Sequence, residues 1–238
     1  MKFIYFVLLL ILLSGCHYVT TEISGTAHDL DGSIVSLVDI EGKTVCSSGI
    51  KNGKFDMGQT RLKETGYYTL SVFTGKNPRD FDIYIEAGKY TIEIPPKESD
   101  YLIIKTNSKT QNDLSAYYTF EDSLMYSFHH EVDSLNAQVG DPKNSKLSGS
   151  EFDKLLASLR SAKARERGAK AAIMDMFVEK HPQNTTVIPH VISNEDYISN
   201  PMPYYYVFNK LSPAVKNTDE GKEIGKVLDS LNKAPGNP

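Results

Sequence analysis

The chain has 238 residues, with 26 Lys and Arg against 30 Asp and Glu, a net charge of −4 and no tryptophan. Charges of both signs are mixed along it, so it carries no basic stripe of the kind that binds nucleic acid, and no nucleic-acid partner is expected. The length admits one large domain or two small ones.

Met1-Lys2 places one positive charge ahead of an unbroken apolar run, Phe3 to Leu13. That run is shorter than the ~20 residues a membrane span needs, and it fits the h-region of a signal peptide. Leu13-Ser14-Gly15-Cys16 follows and resembles the bacterial lipobox. The resemblance implies a signal peptide over 1–15, cleavage between Gly15 and Cys16, diacylglycerol on the Cys16 thiol and acylation of the new amino terminus, palmitate included. Small residues at 14 and 15 let an extended chain enter a peptidase cleft, and only cysteine offers a thiol. An ordinary signal peptide, or a buried domain start, is the competing reading. Several acyl chains anchor stably, at about 0.8 kcal/mol per buried methylene. A membrane is therefore the expected partner and the cell envelope the expected location. His17-Tyr18-Val19-Thr20 has no acidic cluster, which favours a periplasm-facing anchor and leaves inner or outer membrane open.

From Val19 to Thr106 the apolar period is two. Ile34, Ser36, Val38 and Ile40 alternate with Val35, Leu37 and Asp39, and the segments 68–72, 81–86 and 90–94 repeat the pattern. Such alternation puts one face on a core and the other in water. Asp31-Gly32, Glu41-Gly42 and Asn52-Gly53 are turn dipeptides, and Ala87-Gly88 is a further break. Lys43 to Ser48 reads as a strand, with Cys46 expected as a buried core thiol. After Pro95-Pro96, Asp100 to Lys105 reads as the last strand.

From Lys109 the period changes to three and four. Leu114, Tyr117, Tyr118, Leu124, Met125, Phe128, Val132 and Leu135 predict one long amphipathic helix, stopped at Gly140-Asp141-Pro142. Ser150 is the expected N-cap of a second, whose stripe runs from Phe152 to Phe177, Met176 included. Its charged middle, Lys163 to Lys170 with Gly168, predicts a kink or a solvated face. His181-Pro182 ends it. Shorter helices are expected over 187–193, 204–211 and 221–231, and Ser212-Pro213 reads as a helix start. The fold class is therefore α+β, an antiparallel β-sandwich or barrel-like domain over 16–106, a helical region over 107–232 and a tail over 233–238.

The stretches Ile23-Ser24-Gly25-Thr26, Ile50-Lys51-Asn52-Gly53-Lys54-Phe55 and Tyr84-Ile85-Glu86-Ala87-Gly88-Lys89-Tyr90 resemble a β domain of unknown function. That domain begins the TlpA-like or ResA-like thiol:disulfide interchange lipoproteins of the Bacteroidota. Phe177-Val178-Glu179-Lys180-His181-Pro182 and Leu211 to Thr218 resemble the helical segment that follows it in those proteins. In the family a thioredoxin-like domain with Trp-Cys-x-x-Cys comes next, and the chain ends at Pro238, about where it would begin. A redox cycle needs two thiols, one to attack and one to resolve. Cys46 alone cannot supply that pair, so the oxidoreductase activity is not carried over.

His129-His130 with Glu131 and Asp133 is a weak metal candidate, because adjacent helical side chains diverge by about 100°. His28-Asp29 with Asp31 reads as a turn. No nucleophile elbow or phosphate-cradling Gly loop stands out, and neither a metal nor a cofactor is expected. Tyr204-Tyr205-Tyr206, behind Pro201-Met202-Pro203, is the place to look for a partner surface, since aromatics enrich at interfaces. The leading expectation is a non-catalytic scaffold or protein-binding lipoprotein with an envelope protein partner. The alternatives are an accessory to a separate thioredoxin-like protein and a small-molecule binder.

Overall fold

The computed structural model describes residues 18–73, 78–95, 101–143 and 147–233. The expected signal peptide, the expected processing site at Gly15 and Cys16 and the last five residues lie outside them. The chain divides into two compact units, Met1–Asn112 and Asp113–Pro238.

The first unit is two four-stranded sheets. Strands β1 (Val19–Ala27), β4 (Lys54–Leu62), β7 (Gly88–Ile94) and β8 (Ile103–Lys105) form one, in the order β4-β1-β7-β8. Strands β2 (Ile34–Val38), β3 (Thr44–Gly49), β5 (Gly66–Phe73) and β6 (Pro78–Ile85) form the other, in the order β3-β2-β5-β6. Neighbours run antiparallel except β1 and β7, which are parallel over Thr21–Ala27 and Gly88–Ile94. One core joins the sheets, with Ile23, Leu37, Leu70, Ile83, Tyr90 and Ile92 among its fully buried members. Each such side chain contributes roughly 1.5–3 kcal/mol by leaving water.

Local chemistry accounts for the strand ends. The alternating run through Ile40 stops at Val38, because Asp39 Oδ1 accepts from Glu41 N at 3.1 Å and Lys43 N at 2.8 Å and turns the chain. Ile40 is left 83% exposed. Asn52 and Gly53 have φ of 52° and 67°, the pair of left-handed residues that a two-residue hairpin requires. Lys51 and Lys54 exchange both backbone bonds across it. The last strand is shorter than expected and starts at Ile103.

The helical unit is built around a long hairpin. Helix α1 (Lys109–Gly140) is capped by Ser108, whose Oγ accepts from Gln111 N at 3.2 Å. Helix α2 (Gly149–Lys180) begins at Ser148 and not at Ser150. Glu151 Oε2 accepts from Ser148 N at 3.0 Å and from its Oγ at 2.7 Å, so the glutamate three residues on decides between two serines. Helix α2 is continuous through Gly168. A 3₁₀ turn (Pro182–Val187) follows, then α3 (Ile188–Ser193), α4 (Pro201–Lys210), α5 (Pro213–Lys216) and α6 (Asp219–Asn232). Leu124 and Met176, expected on the buried stripes, are 40% and 37% exposed. The α1 stripe passes through Leu114, Tyr117, Glu121 and Met125, so Leu124 falls beside it. Buried Asp113 fixes the start of the unit, with one oxygen accepting from Asn184 Nδ2 at 2.7 Å and the other from Thr186 Oγ1 at 2.8 Å. Among the described residues, no helix is long and apolar enough to cross a membrane.

Candidate functional site

The three tyrosines expected at a partner surface sit on α4 and divide by helical period. Pro201, Tyr204, Val207 and Phe208 are buried. Met202, Tyr205, Tyr206 and Asn209 are spaced along the opposite side, and Tyr206 is 60% exposed. The Tyr205 and Tyr206 rings meet edge to face at 6.3 Å. Proline at the first helical position presets φ for helix entry. At the other end Lys210 Nζ lies 2.8 Å from Asp175 Oδ2 and 2.6 Å from Glu179 Oε1, both on α2. The aromatic face therefore stands on a helix pinned at both ends.

Tyr204 turns inward, toward a charged cluster that sequence reasoning missed. Lys170 Nζ on α2 lies 3.1 Å from Glu195 Oε1, and the Tyr117 hydroxyl lies 3.4 Å from Glu121 Oε1. Burial alone draws the Lys170 ammonium down, but Glu195, Glu121 and Glu166 outweigh it and leave the ammonium above its ordinary value. Burial pushes the Glu121 carboxyl up, with Glu195 adding to the rise and Lys170 opposing it. Burial and the same carboxylates raise the Tyr117 and Tyr204 phenols, so both stay protonated donors at neutral pH. One ammonium thus serves three carboxylates beneath the tyrosine helix. The available clue was Glu121, a carboxylate at a stripe position of an otherwise apolar helix face.

The raised Glu121 carboxyl has a consequence for stability. The folded state holds its proton more tightly than the unfolded chain, so stability falls as pH rises from the ordinary glutamate range through the raised value. Glu121→Gln removes that cost. The variant should gain on the wild type as pH rises to neutrality, and the gain should vanish below about pH 4. Urea melts across pH check this, and a gain independent of pH would contradict it.

The other candidates resolve into local roles. His129 Nδ1 lies 3.0 Å from Glu166 Oε1, and Glu131 Oε1 lies 2.6 Å from Arg165, while His130 faces the Tyr126 ring at 6.3 Å. Among the described residues, no group of three or more His, Cys, Asp or Glu converges as a metal site. Asp31 Oδ1 accepts from Gly53 N at 2.7 Å and ties two turns together. Cys46 is half-buried and not the enclosed core thiol expected, because β3 is an edge strand covered on one side only. Its Sγ lies 3.5 Å from Met57 Sδ, and burial pushes the thiol up against smaller opposing effects from Thr60 and Leu37. Such a thiol is a poor nucleophile.

Comparison with protein-family models, with curated proteins and with solved structures finds no match to this chain.

Proposed function

We propose that the chain is a non-catalytic lipoprotein of the cell envelope, anchored at Cys16 and facing the periplasm, that holds a protein partner through the outer face of α4. The observation that carries the partner role is the face of α4 on which exposed Tyr206 stands with half-buried Met202 and Tyr205, on a helix held by Lys210 at its end. Methionine and tyrosine are enriched at interface cores, and a rigid presentation lowers the ordering cost of binding. The charge, the apolar run and the box at Leu13-Ser14-Gly15-Cys16 support the anchor.

A photo-crosslinking residue in place of Tyr206, in the native host, tests the reading. One envelope protein should be captured. The double variant Tyr205→Ala, Tyr206→Ala should lower its recovery about tenfold or more, as loss of central aromatic anchors does, with the melting temperature unchanged. Undiminished recovery, or catalytic turnover by the purified chain, would sink it. A second reading, an accessory to a separate thioredoxin-like protein, draws on the family resemblance and on Cys46, whose protonated lone thiol leaves any exchange chemistry to another chain. A captured partner with a Cys-x-x-Cys pair would favour it.

A further inference from the structure

The last helix carries a feature unrelated to the tyrosine face. Lys222 and Lys226 on α6 and Lys233 just past its end recur at helical spacing, and with Lys216 of α5 they line a shallow, open cleft of about 560 Å³. Its lining includes Phe208 and one acidic residue, Asp229. Four ammonium groups face two nearby carboxylates, Asp229 in the lining and Asp219 beside Lys222, a local positive excess in a chain whose net charge is −4. The cleft exists because α6 has glycine at 225: a Cβ there would lie 2.8 Å from the Phe208 ring, so the ring can seat on the helix and leave the lysines around a hollow. Two of the four are already engaged. Lys216 Nζ donates to Asn209 O at 2.6 Å, and Lys222 stands 3.8 Å from Asp219 in an exposed pair of the kind that contributes little. Among the described residues, Lys226 and Lys233 have no carboxylate within ion-pair distance.

We propose that this cleft binds a compact polyanion carrying two or more phosphate groups. Like charges gathered around one hollow repel each other, and a multiply charged anion relieves that repulsion while gaining several charge-assisted hydrogen bonds. Ammonium groups around a small, open depression suit a compact group, and lysine binds phosphate as a point charge that needs no fixed fork. The phosphates belong either to a soluble molecule or to a lipid headgroup.

The test is calorimetric titration of the full chain in non-ionic detergent micelles, with inorganic pyrophosphate in one arm and cardiolipin, a lipid with two phosphate groups, added to the micelles in the other. The cleft variant is Lys222→Gln, Lys226→Gln, and the control with equal charge loss is Lys43→Gln, Lys63→Gln on the β unit. Saturable pyrophosphate binding that weakens about tenfold or more in the cleft variant alone supports the proposal with a soluble source. The same pattern with cardiolipin alone supports it with a lipid source. Binding in neither arm, or equal weakening in both variants, overturns it. Matching circular dichroism melts establish that the variants are folded.

Discussion

Gly25→Ala should cost the β unit about 3 kcal/mol or more, and Gly25→Val should prevent it from folding. Gly25 lies near the end of β1, paired with Phe55 on one side and Ile92 on the other. A Cβ there would stand 1.9 Å from the Ile92 carbonyl oxygen and 2.7 Å from the end of the Phe55 ring. The ring has some room to turn, but the carbonyl belongs to the parallel ladder and cannot retreat without breaking it. Gly49 is the control, because nothing lies within 4 Å of its added Cβ; Gly49→Ala should stay within about 0.5 kcal/mol of the wild type. Urea denaturation followed by circular dichroism separates the two. A Gly25→Ala protein as stable as the Gly49→Ala protein would mean that β1 and β7 do not pair in this register.

Lys170→Met should destabilise the helical unit by about 3 kcal/mol, because it leaves buried carboxylates without their cation. The Glu195 side chain is 14% exposed and that of Lys170 is 29% exposed, so solvent screens the pair only in part. The loss should be largest at neutral pH and should shrink as acid is added and the Glu121 carboxyl, raised by burial, takes up its proton. Lys170→Met combined with Glu195→Leu should recover much of the loss, since a buried pair replaced by apolar groups is often no less stable than the pair itself. A single variant within 1 kcal/mol of the wild type, by the urea-melt criterion for surface changes, would show the cluster to be solvated.

The period-two and period-three patterns were enough to read the α+β class, the change of architecture near residue 107 and the turns at Asn52-Gly53 and Glu41-Gly42, because each depends on local chemistry. What depends on distant partners was not legible. The parallel pairing of β1 with β7 joins residues far apart in the chain, and no alternation of side chains reports strand direction. Lys170 sits in a run of charges that mostly face water, and only the fold shows that Glu195, past the end of the helix, draws it inward. Ser148 was passed over for Ser150 although Glu151 stands at the capping-box position. Among the tyrosines the run itself was visible, but its division into an inward Tyr204 and an outward Tyr206 required knowing which side of α4 is covered.

The placement of β1 has a bearing on how the chain acquires its structure. Among the described strands β1 is synthesised first and is an inner one, and its two neighbours, β4 and β7, begin about 35 and 70 residues later. Until Ile94 has emerged, β1 has a ladder edge with nothing to fill it, which is a period of exposure to mispairing. The same placement decides how the unit tolerates trimming. Removing Val19 to Ala27 would not shave an edge from the sheet but would part β4 from β7, so the amino-terminal strand is the last segment the unit can spare.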